Sequence, residues 1–226
     1  MHSNAPSSRP RMDTKTITSL AMLTGIAYIV MLLSKGLPQV IGFLQFDMKD
    51  TVICIGGFIF GPMAAAIISI LVPVIEMMSA SDTGPIGMLM NILATASFCC
   101  TASVVYKKKH TKQGALIGLI CGVIALVVVM LLWNYLITPV YQKVPREVVV
   151  AMLPTVFLPF NLVKGGLNMA ATLLLYKPVV TAMRKAGLVP PSKGGQEKKF
   201  NAGFLLFCLA LLGTFVVWAL VLAEVI

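Results

Sequence analysis

The stretch GALIGLICGVIALVVVMLLWNYLI, residues 114–137, contains no charged side chain. As an α-helix it would be about 36 Å long, at 1.5 Å per residue. That length exceeds the hydrocarbon thickness of a bilayer, which is about 30 Å. A segment so long and so uniformly apolar predicts a transmembrane helix.

The composition of the whole chain agrees with this prediction. Of its 226 residues, 58% are hydrophobic and 12% are charged, whereas a soluble domain carries about 25% charged residues. A soluble core of this size could not bury so much apolar surface. The composition therefore excludes most soluble enzymes and predicts an all-α, polytopic bundle of transmembrane helices.

Further apolar segments on both sides of residues 114–137 predict the rest of the bundle. The segment 51–60 ends at a Gly-Pro turn and is too short to span a bilayer unaided, and Pro73 is expected to kink the next helix. Residues 34–48 are expected to form an outward loop with extended structure around 41–46. The predicted helices are 17–33, 51–60, 63–78, 85–105, 114–137, one that follows Pro154 and Pro159 and ends near 176, and 200–225.

These segments divide the chain into four parts. Residues 1–14 are polar and are expected to form a disordered tail. Residues 15–185 would form a six-helix membrane domain, and residues 186–199 a basic linker rich in glycine and proline. Residues 200–226 would add a seventh, C-terminal transmembrane helix.

The positive charges predict the orientation in the membrane. The net charge is +10, but the cations cluster beside apolar runs, which is typical of a cytoplasmic membrane face rather than of a nucleic-acid-binding surface. With the N-terminus in the cytoplasm, the outer loops hold Lys35, Lys49, Lys143 and Arg146. The inner segments hold Arg9, Arg11, Lys15, Lys107, Lys108, Lys109, Lys112, Lys177, Arg184, Lys185, Lys193, Lys198 and Lys199.

Signatures of catalysis and of metal binding are missing. The five cysteines lie inside apolar runs without a CxxC pair, and there are two histidines, so we expect no metal site. No HExxH, GxSxG or P-loop motif occurs. We therefore expect no enzymatic activity and no cofactor, and any ATP-driven step would need a separate subunit.

Polar side chains inside the apolar spans are the candidate functional residues. A lone lysine at membrane depth costs about 2.5–3.5 kcal/mol, so Lys164 requires a partner or a function. Asn161, Lys164 and Asn168 share one helix face because of their spacing. Other predicted helices contribute Asn134, Asn91 and Glu76.

Two interpretations of these polar residues remain open. They could line a pocket that opens outward and binds a small solute, which the placement of several of them near outer helix ends favours slightly. Alternatively, Glu76 could pair with Lys164 while the asparagines hold the helices together. The small residues Ala21 and Gly25 on the first helix would allow close approach of another helix, either within the bundle or from a partner.

Five stretches of the chain carry a resemblance to a known family. They are KTITSLAMLTGIAYIVMLL at 15–33, FLQFDMKD at 43–50, IGGFIFGPMAAAIIS at 55–69, EMMSASDTGPIGMLMNILATASF at 76–98 and FLPFNLVKGGLNM at 157–169. Together they resemble the riboflavin-specific S components, the RibU family, of energy-coupling-factor (ECF) vitamin transporters. The resemblance covers most of residues 15–185.

The resemblance implies a function and a set of partners. S components of this kind are six-helix membrane proteins that capture a vitamin from outside the cell. They deliver it together with a transmembrane T subunit and two ATPase subunits. Riboflavin would then be the transported ligand rather than a cofactor. The segment 200–226 departs from the six-helix pattern, and the family assigns it no role.

The resemblance also implies site residues. Asn161 and Lys164 match the polar positions of the family's N-x-x-K-G motif and would bond the ligand, as would the similar Asn134. The predicted site is completed by Phe46, Asp47, Glu76, Gly84 and Asn91, which lie in the matching stretches. Ala21 and Gly25 resemble the family's A-x-x-x-A surface for the T subunit, with glycine at the second position.

Two other functions remain as alternatives. A stand-alone secondary transporter or channel would use Glu76 and Lys164 as an ion or proton relay and would work without partner subunits. A purely structural membrane subunit would bind no small molecule.

Overall fold

The computed structural model of the chain describes residues 13–37, 39–40, 44–81, 83–189 and 202–225. These ranges contain α-helices and one short antiparallel hairpin, in which Gln39 pairs with Gln45 and Val40 with Leu44. A π-helical turn, Leu153–Phe157, joins the helices Arg146–Met152 and Leu158–Lys185. The elements are α1 Thr14–Ser34, β1 Gln39–Val40, β2 Leu44–Gln45, α2 Lys49–Phe60, α3 Pro62–Ser79, α4 Gly84–Lys108, α5 Lys112–Gln142, α6 Arg146–Met152, α7 Leu158–Lys185 and α8 Ala202–Leu222.

Six helical segments in the described ranges are long and apolar enough to cross a bilayer. They are α1, α3, α4, α5, the continuous segment Arg146–Lys185 and α8. The helix α2 has 12 residues and is not among them, in agreement with the sequence. The predicted all-α transmembrane bundle is therefore confirmed. The tail over 1–12 and the linker over 190–199 lie outside the described residues.

The bundle has two chemically different ends. The hairpin end contains β1 and β2 together with the ends of α1 and α3. The basic end contains Lys107 and Lys108 at the end of α4, Lys112 at the start of α5, and Arg184 and Lys185 at the end of α7. Between these ends α2 packs against α1, α3, α4 and α7, while α8 packs on α7.

A tight turn and a close helix contact fix the position of α2. Gly61, between α2 and α3, has φ 94° and ψ 174°, a conformation that residues with a side chain rarely adopt. One turn earlier, a Cβ on Gly57 would lie 2.8 Å from the Cβ of Ala65 and 3.2 Å from the Cβ of Ser103. Helix α2 is therefore wedged between α3 and α4 at Gly57.

Replacing Gly57 with valine is expected to lower the free energy of unfolding by about 1–3 kcal/mol, because overpacking forces helices apart. Gly25→Val in α1 is the matched control, since a Cβ on Gly25 meets no atom within 4 Å. Both changes alter helix propensity equally. Thermal unfolding in detergent tests the two variants. Equal unfolding midpoints would contradict the close packing of α2 between α3 and α4 at Gly57.

The structure corrects several boundaries predicted from the sequence, including the helix expected to end near 176, which continues to Lys185. The predicted polar loop before Pro154 is helical, because α6 and the π turn continue into α7. In an α-helix, a proline ring clashes with the backbone carbonyl four residues earlier. For Pro159 this carbonyl lies in the π turn, which is wider than an α-helical turn, and the helix continues. Helix α5 likewise continues through Pro139 to Gln142. The extended structure expected around 41–46 is found at β1 and β2, and residues 41–43 lie outside the described ranges.

Candidate substrate-binding site

A cavity of about 250 Å³ opens among the hairpin and helices α1, α3, α4, α5 and α7. Its wall combines carboxylate, ammonium and amide groups with methionine and aromatic side chains. The lining residues are Met31, Lys35, Gln39, Leu44, Gln45, Asp47, Glu76, Thr83, Met90, Asn91, Tyr141, Phe160 and Lys164.

A buried ionic cluster lies at one side of this cavity. The Oδ2 atom of Asp47 is 2.7 Å from Nζ of Lys164 and 2.8 Å from Nζ of Lys49. Burial alone would raise the pKa of Asp47, but the charges and hydrogen bonds of the two lysines outweigh burial and hold this pKa well below its ordinary value. In the described part of the chain, Oδ1 of Asp47 is buried without a hydrogen-bond partner. Asp47 therefore remains ionised and has one oxygen left to accept a hydrogen bond.

Asn168 fixes this cluster to the start of α2. Its Nδ2 donates to the backbone oxygen of Asp47 at 2.8 Å, and its Oδ1 accepts from the backbone N–H of Thr51 at 2.9 Å. The first N–H groups of a helix have no partner within the helix, so a side-chain acceptor there stabilises the helix start. Asn168, which the sequence placed on one face with Asn161 and Lys164, is thus a structural residue.

Glu76, Lys35 and Asn91 form a second polar group in the cavity wall. Glu76 lies 4.0 Å from Nζ of Lys35 and accepts a hydrogen bond from Nδ2 of Asn91 at 3.2 Å. The suggested pairing of Glu76 with Lys164 is therefore wrong, because Lys164 pairs with Asp47 instead. The predicted residues Asp47, Glu76, Asn91 and Lys164 do line one cavity.

Two predicted asparagines bond their own helices. Asn134 donates to the backbone oxygen of Met130 at 2.7 Å and accepts from Thr138 at 2.8 Å, and Asn161 donates to the backbone oxygen of Phe157 at 2.7 Å. Asn134 lines a smaller cavity of about 20 Å³, which shares Thr83, Met90 and Tyr141 with the larger one. Asn161 is buried beside the lining residue Phe160.

The remaining predicted site residues support the walls of the cavity. Phe46 is buried with its ring centroid 4.8 Å from that of Phe160. Gly84 has φ 61° at the start of α4, where its N–H donates to Oγ of Ser81 at 3.0 Å. This positive φ favours glycine and lets the chain enter α4 directly after the lining residue Thr83.

The two small residues predicted for partner docking lie on the free surface of α1. Ala21 and Gly25 are both exposed, and the nearby Met22, Ile26 and Ile29 are exposed as well. The interpretation of this pair as internal helix packing is therefore wrong for the described bundle. An exposed apolar stripe with a small-residue centre remains available to lipid or to another helix.

Several residues around the cavity are not predicted from the sequence. Lys49 was counted among the outer-loop cations but is buried against Asp47, and Lys35 reaches Glu76. A lysine two residues after an aspartate, both beside an apolar helix, is the pattern that could have indicated Lys49. Gln45 and Tyr141 gave no such indication, since their positions depend on the path of the hairpin and on the length of α5.

The cavity can accept a ligand with both carbonyl and hydroxyl groups. Lys164 has three ammonium hydrogens, of which one is used by Asp47, while Asp47 Oδ1 and Glu76 are acceptors. No group of three or more histidine, cysteine, aspartate or glutamate side chains that could hold a metal ion occurs in the described ranges. The donor and acceptor groups therefore favour a polar organic ligand.

Curated relatives of the chain are transport proteins. The riboflavin transporter RibU of Staphylococcus aureus (strain TCH60) is 27% identical over 180 residues, which cover 76% of this chain and 94% of that protein. The riboflavin transporter FmnP of Bacillus subtilis (strain 168) is 28% identical over 191 residues, covering 77% and 98%. The riboflavin transporter RibU of Streptococcus thermophilus (strain ATCC BAA-250 / LMG 18311) is 25% identical, covering 76% and 86%.

A solved structure and a family model agree with these relatives. The structure, described as "Structure and mechanism of the S component of a bacterial ECF transporter", has a TM-score of 0.64 and 26% identity, and the match covers 75% of this chain and 98% of that one. The model of the family "ECF transporter, substrate-specific component" matches residues 15–176. The chain therefore belongs to the substrate-specific components of ECF transporters and is a membrane-embedded, substrate-binding S subunit.

Proposed function

We propose that this S subunit binds riboflavin in the cavity at the hairpin end. The observation that carries the proposal is the Asp47–Lys164 pair in the cavity wall, which offers hydrogen donors on Nζ and an unused acceptor on Oδ1. Three relatives are named riboflavin transporters, which supports riboflavin as the ligand.

The chemistry of riboflavin matches these groups. The pyrimidine edge of its ring carries carbonyl oxygens, which accept from Lys164 and, after a rotamer change, from Asn161 or Asn134. Its ribityl chain carries hydroxyls, which donate to Asp47 and Glu76. The apolar part of the ring packs near the tilted aromatic pair Phe46 and Phe160. Riboflavin is cargo in this proposal, and no resident cofactor is required.

The charge distribution supports an orientation in which the basic end is cytoplasmic. Short cytoplasmic segments of membrane proteins are enriched in lysine and arginine, and α4, α5 and α7 place such residues at one end. The N-terminus then lies in the cytoplasm and the cavity at the hairpin end receives riboflavin from outside.

Delivery of the vitamin requires partner subunits in this proposal. A transmembrane T subunit would dock on the exposed stripe of α1 that contains Ala21 and Gly25, and two ATPase subunits would supply the energy. The family membership supports this assembly. Ala21 and Gly25 support the location because a helix approaches closely where side chains are small.

An absorbance spectrum of the detergent-purified protein between about 300 and 550 nm tests the ligand. A flavin spectrum in near-stoichiometric amount, lost in an Asn161→Ala/Lys164→Ala variant, is the expected result. A colourless protein that also fails to quench the fluorescence of added riboflavin would overturn the riboflavin assignment.

Liposomes that contain the purified protein alone test the transport mechanism. We expect riboflavin binding without concentrative uptake, because uptake depends on the partner subunits. Gradient-driven uptake by the protein alone would instead favour the stand-alone transporter.

A further inference from the structure

A second cavity of about 250 Å³ lies at the basic end of the bundle, away from the hairpin-end cavity. Residues of helices α2, α4, α5 and α7 line it, and α8 contributes Phe204. The proposed function uses none of these residues. Lys177 and Phe204 also lie outside residues 15–176, the range that the family model matches.

The inner wall of this cavity is aromatic with two hydroxyl groups. The rings of Phe58 and Tyr106 stack with centroids 4.4 Å apart, and the hydroxyls of Tyr106 and Tyr176 are 3.0 Å apart. One hydroxyl hydrogen lies in that bond, so the other can donate to an oxygen atom of a ligand. The wall thus combines apolar surface with a hydrogen-bond donor.

The rim of the cavity is cationic. Lys112 and Lys177 both line it, and Nζ of Lys112 lies 5.3 Å from the centroid of the Phe204 ring on α8. Lys107 and Lys108, on the last turn of α4, are not among the lining residues. Among the described residues that line this cavity there is no aspartate or glutamate. These lining residues match a ligand that brings negative charge to the rim and apolar atoms to the interior.

We propose that this basic-end cavity binds the headgroup of an anionic glycerophospholipid, with the phosphate between Lys112 and Lys177 and the glycerol and first acyl carbons against the aromatic wall. Basic pockets between transmembrane helices recognise such headgroups in this way. A soluble anion matches the rim but leaves the apolar wall without a partner, whereas a phospholipid satisfies both. The cavity lies at the helix ends, where lipid headgroups are found.

The structure gives α8 a role in this proposal. Helix α8 packs on α7 through a close contact, since a Cβ on Gly166 would lie within 2.5 Å of three ring atoms of Phe215. This contact holds the α8 helix so that Phe204 faces Lys112. The bound lipid would then bridge α5, α7 and α8 at the basic end.

Binding of short-chain lipids to the full chain in neutral detergent tests the proposal. Dihexanoyl phosphatidylglycerol is compared with dihexanoyl phosphatidylcholine and with glycerol 3-phosphate, by native mass spectrometry and by the shift of the thermal unfolding midpoint. We expect one phosphatidylglycerol per protein and at least tenfold weaker binding of the other two compounds.

Two double variants separate the cavity from general surface charge. Lys112→Gln/Lys177→Gln is expected to weaken phosphatidylglycerol binding at least tenfold. The control, Lys107→Gln/Lys108→Gln, makes the same change of charge on exposed residues. It is expected to change binding less than twofold. If the first variant does not fold, Tyr106→Phe/Tyr176→Phe removes both hydroxyls while keeping the rings and is expected to weaken binding at least threefold.

Three results would overturn the proposal. Equal weakening by the two lysine variants would mean that the lipid responds to surface charge alone. Equal binding of phosphatidylcholine would remove the selection for an anion. Binding of glycerol 3-phosphate as tight as that of the lipid would assign the cavity to a soluble anion. None of these measurements depends on riboflavin, so their outcome is separate from that of the proposed function.

Discussion

Replacing Asp47 with alanine is expected to lower the free energy of unfolding by about 3–5 kcal/mol. The substitution leaves the ammonium groups of Lys49 and Lys164 buried without the carboxylate oxygen that lies within 3 Å of both. Transfer of an unpaired charge out of water is among the most unfavourable changes in a folded protein. Thermal or denaturant unfolding of the detergent-purified variant measures the effect.

A second variant distinguishes the loss of charge balance from the loss of contacts. Asp47→Asn combined with Lys49→Met removes one charge of each sign and keeps similar side-chain volumes. We expect this pair to recover at least half of the stability that Asp47→Ala loses. A single Asp47→Ala variant as stable as the unmodified protein would show that the ionic cluster does not stabilise the bundle.

Replacing Lys164 with alanine is expected to weaken riboflavin binding at least tenfold, about 1.4 kcal/mol. Under the proposed function, this ammonium group donates to the ligand from the cavity wall. The fold is less affected than by loss of Asp47, because Asp47 keeps its ion pair with Lys49. Quenching of riboflavin fluorescence during titration measures the affinity.

Lys107→Ala is the control for this measurement, since Lys107 is an exposed lysine at the other end of the bundle. Its affinity for riboflavin is expected to equal that of the unmodified protein. A folded Lys164→Ala variant with unchanged affinity would exclude Lys164 from the binding site and would leave its ion pair with Asp47 as a purely structural feature.

The helices were largely predictable because the bilayer imposes a simple rule on sequence. An apolar run of sufficient length spans, and glycine or proline pairs mark its ends. The short α2 was predicted for the same reason, since its turn at Gly61 is visible in the sequence. The helical continuation from α6 to α7 was not predictable, because Pro154 and Pro159 ordinarily end a helix and a π turn accommodates them here.

The sequence predicts four residues that line the cavity, but not how their side chains pair. The sequence indicates four of the lining residues as site candidates, either as polar groups in apolar spans or through the matching stretches: Lys164, Asp47, Glu76 and Asn91. The ion pair between Lys164 and Asp47 joins residues 117 apart in the chain. Asp47 follows a segment without periodic hydrophobicity, so nothing in the local pattern showed that the chain turns inward there.

The sequence also does not predict that the side chains of Asn134 and Asn161 form hydrogen bonds within their own helices. Helix periodicity gives the face on which an asparagine lies but not its rotamer. In the described bundle each amide donates to the carbonyl one turn earlier. Each amide nitrogen keeps a second hydrogen, so under the proposed function it can donate to a ligand edge with that hydrogen or after a rotamer change.

Helix α8 reverses the side on which the chain leaves the membrane. It begins beside Lys112 at the basic end, and Leu222 near its other end packs against the cluster that contains Val40 and Leu44 of the hairpin. A fluorescent protein joined after α8 and one joined before α1 would thus report from opposite compartments. Under the proposed orientation, an epitope placed after α8 would label intact cells and leave the α1 stripe uncovered.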